Sequence, residues 1–381
     1  MRQELSRTET IPVFAPQVGA DELAHLAAAI DVGWLGMGAS TKDFEDRISA
    51  FLGLRDRSVV TTNTGTAALH IALRAAGVGP GDEVITPSFN YVADHQAIHM
   101  CGADVVMCDI RDDNLGIDCE KAAALCGPRT KAIVPLHFAG IPCDVKGVYQ
   151  LASERGLRVI EDACHGFGSL VDGKRLGSFG DIAAFSFDPV KVVTSIDGGC
   201  VVVRDPAELE RLRRLRLLGI DRDTTERYKN RRAWDYDVVS EGYRYHLTNI
   251  LASVGISQIK RVEDFISTRQ AVCREYNQAF QVLPGVKTPS TDFSGVSPFI
   301  YSLRIRDGKR QALVDHLRAR QIDAGIHFVP VHKHTFFKDA RRGDMSVTDR
   351  VVEEVVTLPL HSCMRQDFVE RVIDGVRSFF R

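Results

Sequence analysis

Four short stretches, met in order along the chain, carry side chains suited to holding a phosphorylated, electron-poor aromatic ring. Asn63-Thr64-Gly65-Thr66 opens a run with helical spacing. Free backbone N–H groups and the helix dipole there favour an anion, and Gly65 allows close approach of a phosphate. The same small polar residues also make an ordinary N-cap. Tyr91, in PSFNYVAD just after a strand-like run, is either a flat surface for a ring or a core aromatic. Asp162 ends the apolar run of LRVIEDA, at the kind of position where crevices of α/β sheets form. A carboxylate there pairs with a ring nitrogen and keeps it protonated, or it caps a helix, or it lies on the surface. Glu161 and His165 offer secondary polar contacts. Lys191 follows another apolar run in a polar, turn-rich segment, FSFDPVKVVTSIDGG. Schiff-base chemistry needs a lysine whose amine is neutral part of the time, whereas a lone lysine is ordinarily a solvated charge.

The elements that must position these residues are legible from periodicity. DELAHLAAAIDV and TKDFEDRISAFLG have helical spacing, and SVVTT runs into the amphipathic helix NTGTAALHIALRAAGV, closed by Gly77. Short apolar runs follow: DEVITPSF, ADVVMCDI, KAIVPLHF, LRVIEDA and DIAAFSF, separated by helical stretches such as HQAIHMCG and VKGVYQLASERG. Apolar strands without strict alternation, separated by helices, predict a mostly parallel sheet covered on both faces, an α/β architecture. Beyond GGCVVV and the basic helix PAELERLRRLRLLG, the charged stretch GIDRDTTERYKNRRAWDYD lacks periodicity and reads as a loop. A long helical region, TNILASVGISQIKRVEDFISTRQAVCREYNQAFQVL, then leads to SPFIYSLRI (strand), GKRQALVDHLRARQ (helix) and a terminal helix. This predicts a large domain over residues 1–249, entered through IPVFAPQVG after a polar tail, and a smaller C-terminal α+β domain over 250–381.

The composition excludes several function classes. A net charge of -2 gives no global reason to bind nucleic acid or an acidic membrane. The 9 cysteines are odd in number and form no CxxC pair, so they read as thiols in a reducing compartment. The N-terminus has no apolar signal region, and no run reaches the ~18 apolar residues of a membrane span. A cytoplasmic protein is expected.

Taken together, a phosphate cradle, a stacking aromatic, a strand-end acid and a later lysine are the parts a pyridoxal 5′-phosphate (PLP) site requires. GWLGMG contains GxG but follows no predicted strand, so it is no dinucleotide fingerprint. GWLGMGASTKDFEDRISAFLG, TGTAALHIALRAAGVGPGDEVITPSF, TKAIVPLHFAGIPCD, VIEDACHGFGS, FSFDPVK and LASVGISQIKRV, in this order from IPVFAP to LPLHSC, resemble the DegT/DnrJ/EryC1/StrS family of sugar aminotransferases. The resemblance implies the fold-type I architecture of PLP-dependent transferases. It implies that Lys191 bonds the cofactor and then carries the proton between Cα of the donor and C4′. It implies that Asp162 pairs with the pyridine nitrogen and that Tyr91 stacks on the ring. Gly65, Thr66 and Ser186 would hold the phosphate, and His165 would sit beside the 3′-oxygen. An amino acid, by expectation L-glutamate, would leave its amine on the cofactor as pyridoxamine 5′-phosphate. A keto sugar, most simply a nucleotide-linked deoxysugar, would then receive it. A homodimer with the active site at the subunit interface is expected.

Two stretches depart from the family pattern. Where many members have GYNYR, this chain has Gly242-Tyr243-Arg244-Tyr245-His246, and Arg244 is expected to reach the partner's PLP phosphate. Asp188 stands where histidine is frequent. His327 and His332, in GIHFVPVH, match a stretch near the sugar site; with His334 they resemble a metal cluster that no acid or cysteine completes, and no metal is expected. Lys229, Arg231 and Arg232 would either meet a diphosphate or lie solvated. Alternative readings are an acceptor that is a free keto sugar acid such as an eight-carbon ulosonate, a PLP-dependent sugar dehydratase, which Lys191 disfavours, and a PLP or metabolite sensor without turnover.

Overall fold

A computed structural model describes residues 9–381; the polar tail before them lies outside the described residues. Helices α1 (Ala20–Asp31) and α2 (Ala39–Leu52) lead into strand β1 (Ser58–Thr62) and helix α3 (Gly65–Ala75). Then come β2 (Glu83–Pro87), α4 (Ala93–Met100), β3 (Asp104–Cys108), α5 (Cys119–Leu125), β4 (Thr130–Ile133), α6 (Val145–Arg155) and β5 (Arg158–Asp162). A short hairpin, β6 (Leu170–Val171) and β7 (Lys174–Arg175), precedes β8 (Ile182–Ser186), β9 (Gly199–Val203), α7 (Pro206–Arg216), α8 (Asp223–Arg227), α9 (Asn249–Ile259) and α10 (Val262–Phe280). The chain finishes with β10 (Val286–Lys287), β11 (Tyr301–Ile305), α11 (Arg310–Arg318), β12 (Arg341–Arg342), α12 (Ser346–Glu354), β13 (Val355–Leu358) and α13 (Gln366–Phe379).

An eight-stranded sheet in the order β1-β9-β8-β5-β4-β2-β3-β12 forms the centre. Its pairings from β8 to β12 are parallel, and β9 runs antiparallel to both β8 and β1. Strands β2 and β8 are buried along their whole length, which is why their sequences show no alternation. One face packs α3, α4 and α7 through Leu69, Ile71, Ile98 and Leu212. The opposite face is covered by α2, α9 and the start of α10 through Phe44, Ile48, Ile256 and Phe265, and by α5 and α6 through Ala122, Val148 and Leu151. The mostly parallel α/β architecture expected from the apolar runs is the one observed.

The second core gathers Val272, Tyr276, Phe280, Leu303, Leu313, Val356 and Val372 around the sheet β10-β11-β13. α9 buries Ala252 and Ile256 with α2 and Phe187 against the large sheet, and the change from one core to the other falls inside α10. The two parts also exchange segments. Ile11 belongs to the second core, and its N–H donates to Gln321 O at 2.8 Å. Arg341 and Arg342 return to pair with β3 at the edge of the large sheet. The stretch read as a loop contains α8, where Arg227 and Asp223 pair at i,i+4. Among the described residues no helix is long and apolar enough to cross a membrane.

Candidate active site

A cavity of about 370 Å³ opens at the C-terminal ends of the parallel strands, where ligand crevices of such sheets lie and within the range of small-molecule sites. Each wall comes from one element. Thr64 caps α3 and its hydroxyl accepts from Ala67 N–H at 3.0 Å, so the N–H groups of Gly65 and Thr66 stand ahead of the first helical hydrogen bonds. Gly65 abuts Ser186 so closely that a Cβ would lie 2.7 Å from the Ser186 Cβ. Asp162 ends β5, and its Oδ1 accepts from Cys164 N–H at 3.0 Å. The turn after β8 brings Lys191 to the same space, with Lys191 N–H donating to Asp188 O at 3.0 Å. Asp188 Oδ1 accepts from Val190 N–H at 3.0 Å, which gives this departure from the family pattern a turn-forming role.

One side of the cavity is walled by aromatic rings. Phe299 lies with its ring centroid 4.0 Å from Lys191 Nζ. His165 packs 4.4 Å from Phe299 and 5.8 Å from Phe328, and Phe14 stacks on Phe299 at 5.5 Å. Burial pushes the Lys191 ammonium below the ordinary lysine range, against the pull of Cys164, Asp162 and Asp188. His165 is held well below the usual imidazole range by burial and by Lys191, and its Nδ1 is buried without a hydrogen-bond partner. His327 is lowered to about 4 for the same two reasons, and its Nδ1 is 3.0 Å from Thr357 Oγ1. The site thus sets two imidazoles with weakened proton affinity, His165 and His327, around one amine, with Asp162, Asp188 and Asp197 in the same lining.

Gly65, Thr66, Tyr91, Asp162, His165, Ser186, Lys191 and His327 all line this one cavity. Tyr91 sits at its mouth, 58% exposed, with its ring 5.9 Å from Phe328. Two expected residues are not among those lining it. His332 Nδ1 lies 2.8 Å from Ser88 Oγ and its Nε2 3.3 Å from Asp349, so it braces the turn after β2 instead of facing the cavity. Arg244 is exposed on a segment bridged to Leu217 and does not line its own chain's cavity. Lys229, Arg231 and Arg232 are exposed, and Lys229 pairs with Glu226. Glu161 points away, into a buried network with His137 Nε2 at 3.0 Å and Tyr149 OH at 2.6 Å. Among the described residues no group of three or more His, Cys, Asp or Glu side chains is arranged to hold a metal.

Sequence reading missed Asn90, Phe299, Phe328 and Asp197 in the cavity wall and Asp94 beneath it. Asp94 begins α4 and accepts from Asn90 Nδ2 at 2.6 Å. The aromatic residues belong to a separate cluster with Phe89, Phe138 and Val351, lie far along the chain, and carry no local signal.

The model of the DegT/DnrJ/EryC1/StrS aminotransferase family matches residues 16–377. Among curated relatives, the spore coat polysaccharide biosynthesis protein SpsC of Bacillus subtilis is 33% identical, over 98% of each chain. Among solved structures, the aminotransferase TlmJ from Streptoalloteichus hindustanus is 33% identical, with a TM-score of 0.89 over 97% of this chain and 98% of that one. The sugar aminotransferase CalS13 from Micromonospora echinospora is 28% identical, with a TM-score of 0.88 over 97% and 99%.

Proposed function

This chain belongs to the DegT/DnrJ/EryC1/StrS aminotransferase family, and from that premise we propose that it moves an amino group from L-glutamate to a nucleotide-linked keto-deoxysugar, using PLP held in the cavity described above. The observation that carries the reading is the convergence of Lys191, Asp162 and the start of α3 on one cavity. The residues present suit the cofactor. The Gly65–Ser186 contact shapes a cradle that a Cβ would fill. Burial against the aromatic wall lowers the lysine, and a carboxylate faces the cavity from the end of the neighbouring parallel strand β5. The sugar reading is supported by CalS13, named a sugar aminotransferase, and by the polysaccharide role in the name of SpsC.

When bound, PLP would supply the carbonyl carbon that takes the amine and the ring that accepts electrons. The protein's part is positional and acid–base. Gly65 and Thr66 N–H groups and the Ser186 hydroxyl would bind the phosphate at the positive end of α3. Asp162 would keep the ring nitrogen protonated, Tyr91 would cover the ring and His165 would stand beside its 3′-oxygen. The Lys191 amine, neutral more often than a surface lysine, would attach the cofactor. Once released by the donor, it would take the proton from the donor Cα and return it at C4′, then run the sequence backwards on the sugar. His327 borders the same space and would meet the acceptor. A homodimer in the cytoplasm completes the reading. The exposed Trp234, Tyr236 and Val238 offer an apolar face for a second copy, and Arg244 would extend from it toward the partner's phosphate.

The test is spectroscopic. Purified protein loaded with PLP should show a visible absorption band that fades on adding L-glutamate, and Lys191→Ala should lack that band. A nucleotide-linked keto sugar should then regenerate the starting spectrum. A band unmoved by any amino acid would overturn the transfer reading, and regeneration only by a free keto sugar acid would overturn the nucleotide-linked one.

A further inference from the structure

The base of the cavity holds two carboxyl groups. Asp94, in the first turn of α4, is 1% exposed, and Asp162, at the end of β5, is 5% exposed. Their side chains are within hydrogen-bonding reach of each other. Asp94 Oδ2 accepts from Asn90 Nδ2 at 2.6 Å and from Thr86 Oγ1 at 3.5 Å. Asp94 Oδ1 is buried and meets no donor. A buried oxygen of this kind costs about 1–3 kcal/mol if its bond is left unmade.

A single proton resolves the conflict, since two carboxylates in contact away from water do not both stay ionised. On Asp94 Oδ1 the proton fills the missing bond and leaves Oδ2 free to accept from Asn90 and Thr86. The charge then rests on Asp162, where the Cys164 N–H donates at 3.0 Å and the Lys191 ammonium acts. The ionisable groups acting around the pair are Cys164 and Lys191, with Asn90 and Thr86 as neutral donors. Burial, then the neighbouring Asp162, push the Asp94 carboxyl well above the carboxylate range.

We propose that Asp94 is a positioning residue that stays protonated at Oδ1 and donates to the Asp162 carboxylate, so that the pair fixes the rotamer of Asp162 and presents one negative charge to the cofactor nitrogen. The last clause rests on the function proposed above; the shared proton does not. A neutral buried acid that serves as a hydrogen-bond donor is established chemistry for carboxyl groups in apolar sites.

Infrared difference spectroscopy on cofactor-free protein at about pH 7 tests the pair directly. Wild type minus Asp94→Asn should show the deuterium-sensitive carbonyl stretch of a protonated carboxyl group, and Asp162→Ala should retain that band at a shifted frequency. Asp94→Asn still offers an N–H to Asp162 and should bind PLP within about threefold of wild type, whereas Asp94→Ala should bind at least about tenfold more weakly, as expected on losing a hydrogen bond to a charge. No protonated-carboxyl band in wild type, or full PLP affinity in Asp94→Ala, would overturn the proposal. Wild type with the band but without PLP binding would uphold the carboxyl pair and overturn the proposed function. PLP binding without the band would do the reverse.

Discussion

Gly65 and Ser186 meet so closely at the mouth of α3 that a Cβ on the glycine would stand 2.7 Å from the serine Cβ and 2.9 Å from its Oγ. The contact joins the first helix of the large sheet to the end of β8, the strand that leads to Lys191. Gly65→Ala should therefore displace Ser186 and narrow the proposed phosphate cradle. Overpacking of this kind costs about 1–3 kcal/mol, and PLP affinity should fall at least about tenfold, the equivalent of one lost hydrogen bond to a charge. Thermal unfolding of the cofactor-free protein and a PLP titration separate the two effects. An unchanged titration would show that the phosphate does not sit there.

Several buried histidines make stability depend on acid. Burial lowers His70, His327 and His361 to about 4 and His95 to about 3. For a base whose folded value lies below its unfolded one, stability is complete above the unfolded value and drains away as pH falls toward the folded one. His137 works the other way. Burial opposes its proton, but Cys143 and the Glu161 carboxylate raise it to about 10, so its share is present below the unfolded value and is lost only as pH rises through the folded one. The four outnumber His137 and the raised Asp94 carboxyl, which also gains as pH falls, so the protein should lose at least about 2 kcal/mol between about pH 7.5 and 5, measured by urea unfolding. An equal midpoint at both pH values would contradict this.

A buried ion pair steadies the segment that leads to Arg244. Arg216 Nη1 meets Glu45 Oε1 at 2.6 Å, with the two side chains 0% and 6% exposed, and Thr61 N–H and Tyr228 OH also donate to Glu45. Arg216→Met would strand a buried carboxylate and should cost about 3–5 kcal/mol in urea unfolding. Adding Glu45→Leu should return much of that loss, because the stranded charge is removed with its partner. A double variant as unstable as the single one would place the cost in packing.

The strands and the residues at their ends were readable because fully buried parallel strands are short apolar runs, and Asp162, Ser186 and Lys191 lie at or just beyond such runs. The same local logic could not find Phe299 or Phe328, which reach the cavity from segments far along the chain. Nor does it show what His332 touches. A histidine's type and spacing do not reveal that Ser88 and Asp349 already occupy its two nitrogens. The passage from one core to the other is not legible in sequence, for a physical reason too. Helical periodicity runs through α9 and α10 alike, while the change of core inside α10 depends on which distant residues that helix touches. Asp94 carries no local signal either, because sequence does not show the carboxylate across from it.

Arg244 offers the sharpest test of the assembly. It is exposed and does not line its own cavity, so a role at the phosphate requires a second subunit. Arg244→Ala should weaken PLP binding at least about tenfold, as for a lost charge-assisted hydrogen bond, with little change in thermal stability. Lys191→Ala should be inactive by itself. If the two residues act on one site from different chains, a mixed dimer carries both defects at one site and neither at the other. Co-refolding equal amounts should then regenerate wild-type sites, about a quarter of the total when subunits pair at random. If both residues served the same chain's cavity, each site would keep one defect in every combination, and mixing would restore nothing.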